Sequence, residues 1–294
     1  MVLIALSDSH QGASAANANS ELDVLVPKYS SAMPKISLQN VSKTFRNKAG
    51  EEVEAIRSVS FDVKEREFVA LVGPSGGGKS TLLNLSAGLY KLDSGQILMA
   101  GKNVDGLQTN ISYMPSRDAL LPWRTVQRNV EYGLELRGFS KDDRKTAAKE
   151  MIRQVGLDGA ENRYPMQLSS GMRQRVAVAR TFVCQPDILL MDEPFSALDA
   201  QTRIKVQDLF LRLWEERRAT VLLVTHDVGE AIALADRIIV LSSSPATVRA
   251  DVVVPFARPR ELRRMNADPK YHELFNQLLD LLEDTEEDGK VGQP

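Results

Sequence analysis

Nine residues, Gly73-Pro-Ser-Gly-Gly-Gly-Lys-Ser-Thr81, restrict this chain more than any other feature. They follow Phe68-Val-Ala-Leu-Val72, a short apolar run of the kind that forms a buried central strand. They precede a helical stretch from Lys79 to about Ala87 that offers Leu82, Leu83 and Leu85 for packing. The spacing G-x-x-x-x-G-K-[ST] between a buried strand and a helix is that of a loop wrapped around phosphate groups. Glycines let the backbone curl so that successive N–H groups face the phosphate oxygens, and the helix N-terminus adds its partial positive charge. The candidate phosphate-binding residues are therefore Gly73, Pro74, Ser75, Gly76, Gly77, Gly78, Lys79, Ser80 and Thr81. Lys79 is expected to reach the β- and γ-phosphates, and Ser80 to place its hydroxyl on Mg²⁺.

Similar apolar runs recur at Ile188–Met191, Val221–Val224 and Ile238–Leu241, separated by helical patterns. That alternation predicts an α/β fold with a mostly parallel central sheet covered on both faces. Asp192 stands at the C-terminal end of the second run, where ligands collect in open α/β sheets. It is the candidate second metal residue, holding Mg²⁺ through a water, and Glu193 beside it is the candidate general base for an attacking water. His226, just beyond the third run, is placed to contact a γ-phosphate. Together these residues describe a phosphate-loop NTPase.

The remaining segments are read by pattern. Residues 1–34, rich in Ser, Ala and Asn, are expected to be a flexible extension. Lys35–Val41 alternates like a half-buried strand, and Asn47-Lys-Ala-Gly50 reads as a hairpin turn, so an antiparallel β subdomain is expected there. Residues 35–250 form the predicted NTPase domain, with a helical subdomain inserted at about 118–170, where Val126, Val130 and Leu134 share a face. A tail, 251–294, carries Tyr271, Leu274, Phe275, Leu278 and Leu282 at helical spacing, for packing on the main domain or for a partner. The single cysteine, Cys184, continues the pattern of Val176, Ala179, Phe182 and Val183 and reads as a buried, inert thiol; no disulfide framework is possible, which fits a reducing compartment. Lys+Arg 37 against Asp+Glu 39 is not the basic excess of a nucleic-acid binder. No stretch reaches the ~18–20 apolar residues of a membrane helix, and the apolar start, Met1–Leu6, lacks the cationic region of a secretory signal.

Leu168-Ser-Ser-Gly-Met-Arg-Gln-Arg175 narrows the class. It resembles the signature motif of the ATP-binding cassette family, and it lies between the two nucleotide motifs as in that family. Phe195-Ser-Ala-Leu-Asp199 resembles the loop that joins two subunits, and Thr225-His-Asp227 the switch histidine. The resemblance spans about residues 35–250. It implies that ATP and Mg²⁺ are bound between two such subunits, each phosphate loop being completed by the facing signature, here Ser169 and Gly171. It also implies that Phe45 stacks on adenine. Asp118-Ala-Leu-Leu-Pro-Trp-Arg-Thr-Val126 and the tail from Arg258 resemble importers of nitrate, sulfonate, taurine and bicarbonate. The implied partners are a second copy of the subunit, a membrane permease docking near Pro122 and Trp123, and, indirectly, a solute-binding protein. The implied location is peripheral, on the cytoplasmic face of the membrane.

The sequence departs from the family pattern at three positions. Ser170 replaces a glycine and Met172 a glutamine of the signature, and both leave Ser169 and Gly171 in place. At the end of the strand Ile111–Met114, Ser116 stands where the family has a glutamine that reaches Mg²⁺ and the attacking water. A non-transport ATPase and a weakly hydrolysing regulatory module are the competing readings.

Overall fold

Phe68–Val72 is buried along its whole length, which a strand achieves only when both faces of its sheet are covered. The computed structural model describes residues 33–108 and 111–291. It places this strand, β3, inside a six-stranded sheet of order β10-β9-β3-β8-β7-β6. The other members are β6 (Ile111–Met114), β7 (Ile188–Asp192), β8 (Thr220–Val224), β9 (Arg237–Leu241) and β10 (Val248–Val253). All neighbours are parallel except the edge strand β10, antiparallel to β9. A second, antiparallel sheet of order β2-β1-β4-β5 is built from β1 (Ile36–Arg46), β2 (Glu52–Val63), β4 (Ser94–Met99) and β5 (Lys102–Asn103). The expected hairpin joins β1 to β2, with Asn47 Oδ1 accepting from the N–H groups of Ala49 and Glu51. Of the expected extension 1–34, residues 1–32 lie outside the described residues.

The two faces of the six-stranded sheet bury alternate residues, as the strand period of two requires. Val69, Leu71, Leu190, Leu222 and Ile239 pack with α1 (Lys79–Ser86) and the antiparallel sheet. Phe68, Ala70, Leu189, Val221 and Ile238 pack with the larger helical layer. That layer contains α2 (Val126–Leu136), α3 (Lys141–Gln154), α4 (Ser170–Phe182), α5 (Ala200–Arg217) and α6 (Val228–Leu234). Thr125, Ser140, Ser169, Asp199 and Asp227 cap α2 to α6, each side chain accepting a backbone N–H of the first turn. Val126, Val130 and Leu134 are buried, as their spacing predicts.

Beyond the sheet, α7 (Leu262–Met265) and α8 (Pro269–Val291) complete the chain. Leu274 and Leu278 are buried as α8 packs on α6 and β9, the first of the two options the sequence leaves open. β10 crosses the expected boundary at 250, so the tail starts inside the sheet. Arg258 and Arg260 close the C-terminal end of α6. Arg260 Nη1 donates to Ile232 O and Ala235 O at 3.2 and 2.7 Å, and Arg258 donates to Leu234 O and Asp236 Oδ1. Cys184 is a correction. The helix ends at Phe182, and Cys184 lies half-buried in the turn that follows, where burial pushes its thiol pKa up.

No helix among the described residues is long and apolar enough to cross a membrane. Trp214 is the largest fully buried side chain. Its ring lies edge-on to Phe68 at 5.3 Å, under the guanidinium of Arg258 at 4.2 Å, and its Nε1 donates to Ala219 O at 2.7 Å. Trp214→Ala is expected to lower the unfolding free energy by about 3–5 kcal/mol in urea titrations. A loss below about 1 kcal/mol would show that this joint between β3, α5 and the tail is not structural.

Candidate functional site

The phosphate loop leaves β3 at Val72 and turns into α1 through Gly78, which is left-handed at φ 74°. A side chain there would be strained and would place its Cβ 2.8 Å from Ala55 O, so only glycine fits. Gly73 is pressed as tightly against the end of β9, where a Cβ would lie 2.8 Å from Leu241 O. No acidic residue stands in the first turn of α1, so its N-terminal charge is unopposed. Lys79 folds back into this loop. Its buried Nζ donates to Gly73 O at 2.8 Å and Pro74 O at 2.7 Å. Burial pushes its pKa down, and the nearby carboxylates of Glu193 and Asp192 act in the opposite direction.

Parallel strands bring the ends of β7 and β8 beside this loop. Ser80 Oγ donates to Asp192 Oδ1 at 2.8 Å. Desolvation raises the Asp192 pKa, with the Ser80 hydrogen bond opposing it and Glu193 adding to it. Glu193 is held in the left-handed region at φ 46°, a conformation that surrounding bonds must enforce. Its N–H donates to Val224 O at 2.8 Å, and its carbonyl accepts from Ser196 Oγ at 2.9 Å. The carboxylate is thereby aimed at the loop after β8, where Glu193 Oε2 lies 3.1 Å from Nδ1 of the exposed His226. His226 is not a cap; Asp227 fills that role.

One site residue escapes a reading of the sequence. Tyr113 of β6 donates its hydroxyl to Asn84 Oδ1 at 3.0 Å, and burial beside Asp192 pushes its phenol pKa up. Strand alternation is the available signal, since Tyr113 shares the α1 face of its strand while Met114 shares the other.

Behind His226 lies a polar network also not legible in sequence. Asp227 accepts from Arg203 Nη1 at 2.9 Å, and Arg203 Nη2 donates to Leu198 O at 3.1 Å, tying the loop 195–199 to the loop after β8. Glu230, one turn into α6, is buried and accepts from Gln207 Nε2 at 2.8 Å. Burial pushes its pKa up to about 7, against the hydrogen bonds from Thr225 and Gln207.

The remaining candidates lie on other elements of the chain. Ser169 is exposed at the N-terminus of α4, its Oγ accepting from Met172 N at 3.3 Å. Gly171 is buried because α4 meets α5 there; a Cβ would lie 2.5 Å from Thr202 Cγ2. Gln174 Nε2 donates to Pro194 O at 2.6 Å, anchoring α4 to the turn that holds Glu193. Phe45 is half-exposed on β1, edge-on to Tyr90 at 5.6 Å. Ser116 is exposed just beyond β6. Trp123 is 71% exposed, at the rim of a cleft of about 460 Å³ that it lines together with Arg128, Glu135, Asn162 and Tyr164.

The profile of the family described as ABC transporter matches residues 56–196. The uncharacterised ABC transporter ATP-binding protein MJ0412 of Methanocaldococcus jannaschii is 42% identical over 264 residues, 90% of this chain and 97% of that protein. The taurine import ATP-binding protein TauB of Escherichia coli K12 is 43% identical over 221 residues, 74% of this chain and 87% of its own. Among solved structures, the dimeric post-hydrolysis state of the ATP-binding cassette MJ0796 bound to ADP and Pi is 33% identical. It superposes with a TM-score of 0.67, covering 76% of this chain and 100% of that one.

Glu230 gives the site region a pH dependence. Unfolded, this carboxyl titrates at 4.5; folded, it keeps its proton up to about 7. Between those values the folded state holds the extra proton, so stability falls as pH rises through this window and is level above it. The loss is on the order of 3 kcal/mol at full amplitude. Glu230→Gln keeps an acceptor for Gln207 and is expected to flatten the difference in Tm between pH 5 and pH 8, raising Tm at pH 8. Parallel pH profiles for the two proteins would show that Glu230 does not titrate in this window.

Proposed function

The chain belongs to the ABC transporter family of ATP-binding proteins, and we propose that it is the subunit that hydrolyses ATP to drive import of a small solute of the taurine, sulfonate or nitrate kind. The observation that carries the reading is the meeting of Lys79, Ser80, Asp192, Glu193 and His226 at the C-terminal ends of three parallel strands. In this reading the backbone N–H groups of the loop and α1 take the phosphates. Lys79 exchanges Gly73 O and Pro74 O for phosphate oxygens without first being desolvated, since it is already buried. Phe45 stacks on the adenine from its half-exposed position.

The Ser80 hydroxyl and the Asp192 carboxylate are adjacent oxygen donors, which suits a hard divalent cation. They are the residues that would hold Mg²⁺, which when bound offsets phosphate charge. Glu193 takes the proton from the attacking water, and His226, facing its carboxylate, fixes the γ-phosphate side of the site. Ser169 and Gly171 complete the site of a second copy, where the exposed hydroxyl of Ser169 and the unopposed N-terminus of α4 meet the γ-phosphate. The exposed Trp123 is the apolar anchor for a membrane permease, which holds the subunit at the cytoplasmic face of the membrane and receives solute from a separate binding protein.

Glu193→Gln removes the proton acceptor while leaving the binding loop intact. Gel filtration with Mg-ATP is expected to show a stable dimer for this variant and little for the parent chain. Monomers in both, at micromolar protein, would overturn the pairing.

Ser116 favours a second reading, a module that binds ATP with little turnover, because serine is too short for the glutamine's contact. Orienting water acts on the transition state, so its loss lowers kcat and spares ATP affinity. Ser116→Gln is expected to raise turnover at saturating Mg-ATP by about ten-fold, roughly 1.4 kcal/mol of barrier. Unchanged turnover in a folded, dimerising variant would show that position 116 does not control the chemistry.

A further inference from the structure

The segment between Ser116 and Trp123 is held by side chains from two helices. Arg173, one turn into α4, donates Nε to Asp118 Oδ2 at 2.9 Å and Nη1 to Leu168 O at 2.9 Å. Two turns further, Arg180 donates Nη1 to Ala119 O at 2.7 Å and Nη2 to Asp118 O at 2.8 Å. Ala119 is left-handed at φ 45°, a conformation an alanine keeps only when its surroundings dictate it. Here Arg180 dictates it by taking the carbonyls on both sides of that residue's N–H. Asn129 of α2, fully buried, finishes the segment. Its Oδ1 accepts from Leu121 N at 2.7 Å, and the two hydrogens of its Nδ2 are shared among Leu121 O, Arg124 O and Thr125 O at 2.9–3.1 Å.

This arrangement joins two regions of different consequence. Arg173 shares one guanidinium between Asp118 and Leu168, the residue that precedes Ser169, and its own N–H donates to Ser169 O at 2.9 Å. On the other side, Asp118 opens the stretch that ends at the exposed Trp123. β6 and β7 pair with Met114 opposite Met191, so the stretch begins at the same sheet end as Asp192 and Glu193.

We propose that Asp118, Arg173 and Arg180 form a strut that makes the loop after β6 and the signature helix one rigid body, so that closure of Ser169 on ATP is carried to Trp123 through these side chains and not through the residue at 116. The proposal rests on the paired-ATPase reading above. Asp118, Arg173 and Arg180 are positioning residues in it; none touches nucleotide. Helices α2 and α4 move with the strut because Arg180 takes the carbonyls of Asp118 and Ala119 and Asn129 takes both backbone groups of Leu121.

The test is hydrogen–deuterium exchange on the full chain in the Glu193→Gln background, with and without Mg-ATP. In that parent, Mg-ATP is expected to slow exchange in both segments 166–174 and 116–122. Arg173→Met should keep the response at 166–174 and lose it at 116–122, and Arg173→Lys, which keeps a cation near Asp118, should recover part of it. Asp118→Asn provides the same comparison from the other partner. With Glu193 intact, Arg173→Met is expected to lower kcat about five-fold with KM changed less than about two-fold, a split that a general loss of folded protein does not produce. A response at 116–122 in Arg173→Met and Asp118→Asn equal to the parent's would overturn the strut. So would a parent that responds at 166–174 alone. No response at 166–174 in the parent would instead remove the paired-subunit reading, and the strut with it.

Discussion

A buried ammonium with no carboxylate in direct contact is costly, and Lys79 is one. Taking a cation out of water costs several kcal/mol, about what two charge-assisted hydrogen bonds to carbonyls return. The fold bears this cost because the loop from Gly73 to Gly78 is pinned on three sides, by Leu241 of β9, Ala55 of β2 and the start of α1. The contacts with Leu241 and Ala55 each lie where only glycine fits. The position of the antiparallel sheet, the parallel order of β3, β8 and β9 and the buried leucines of α1 all serve to keep that loop closed around its lysine. What the loop loses in its own stability it gains as a site already desolvated for phosphate.

The same parallel order decides where acid groups can stand. A parallel sheet presents all its strand ends on one edge, so residues far apart in sequence meet without a dedicated loop. Ser80 and Asp192 lie 112 positions apart and share a hydrogen bond; Glu193 and His226 meet across the ends of β7 and β8. Gln174 and Arg203 extend the arrangement backwards, one holding Pro194 and the other holding Leu198 and Asp227. The tail adds to it: Arg258 and Arg260 close the far end of α6, and Tyr271 packs its hydroxyl against Gly229, next to the loop after β8. The position of His226 is thus fixed at both ends of the helix that follows it.

Much of this is legible in the sequence because it is local. The loop, the apolar strands and the carboxylates at their ends are each set by spacing within a few residues, and the structure places Lys79, Ser80, Asp192, Glu193 and His226 together as that spacing implies. Residues whose role depends on a distant partner are not legible. Glu230, Gln207, Arg203, Asp118 and Arg173 read as polar helix or loop positions, and only the tertiary fold brings them to one another. Cys184 departs from its expected place for a related reason. Periodicity carries the helix two residues past Phe182, but a following proline, Pro186, and the left-handed Gln185 force the chain out of it. Ser169, at the N-terminus of α4, and Phe45, on β1, have proposed partners that one chain does not contain, a second subunit and a nucleotide.

Ser116 and the strut bear on one question from opposite sides. A single long side chain at 116 could in principle both orient water and report its presence to the helical layer. Splitting those tasks changes what each must satisfy. Water orientation needs a polar group within hydrogen-bond reach of the reacting atoms, and in the proposed reading Glu193 and His226 are the groups left to supply it. Transmission needs stiffness, not reach, and stiffness comes from bonds that leave no backbone group free to adjust. Arg173 holds the Asp118 carboxylate, Arg180 takes the carbonyls of Asp118 and Ala119, and Asn129 takes both backbone groups of Leu121, with Ala119 held left-handed between them. In that reading a serine at 116 weakens the first task far more than the second. In the proposed reading, such a subunit hydrolyses slowly when alone while its signature helix stays joined to the exposed Trp123.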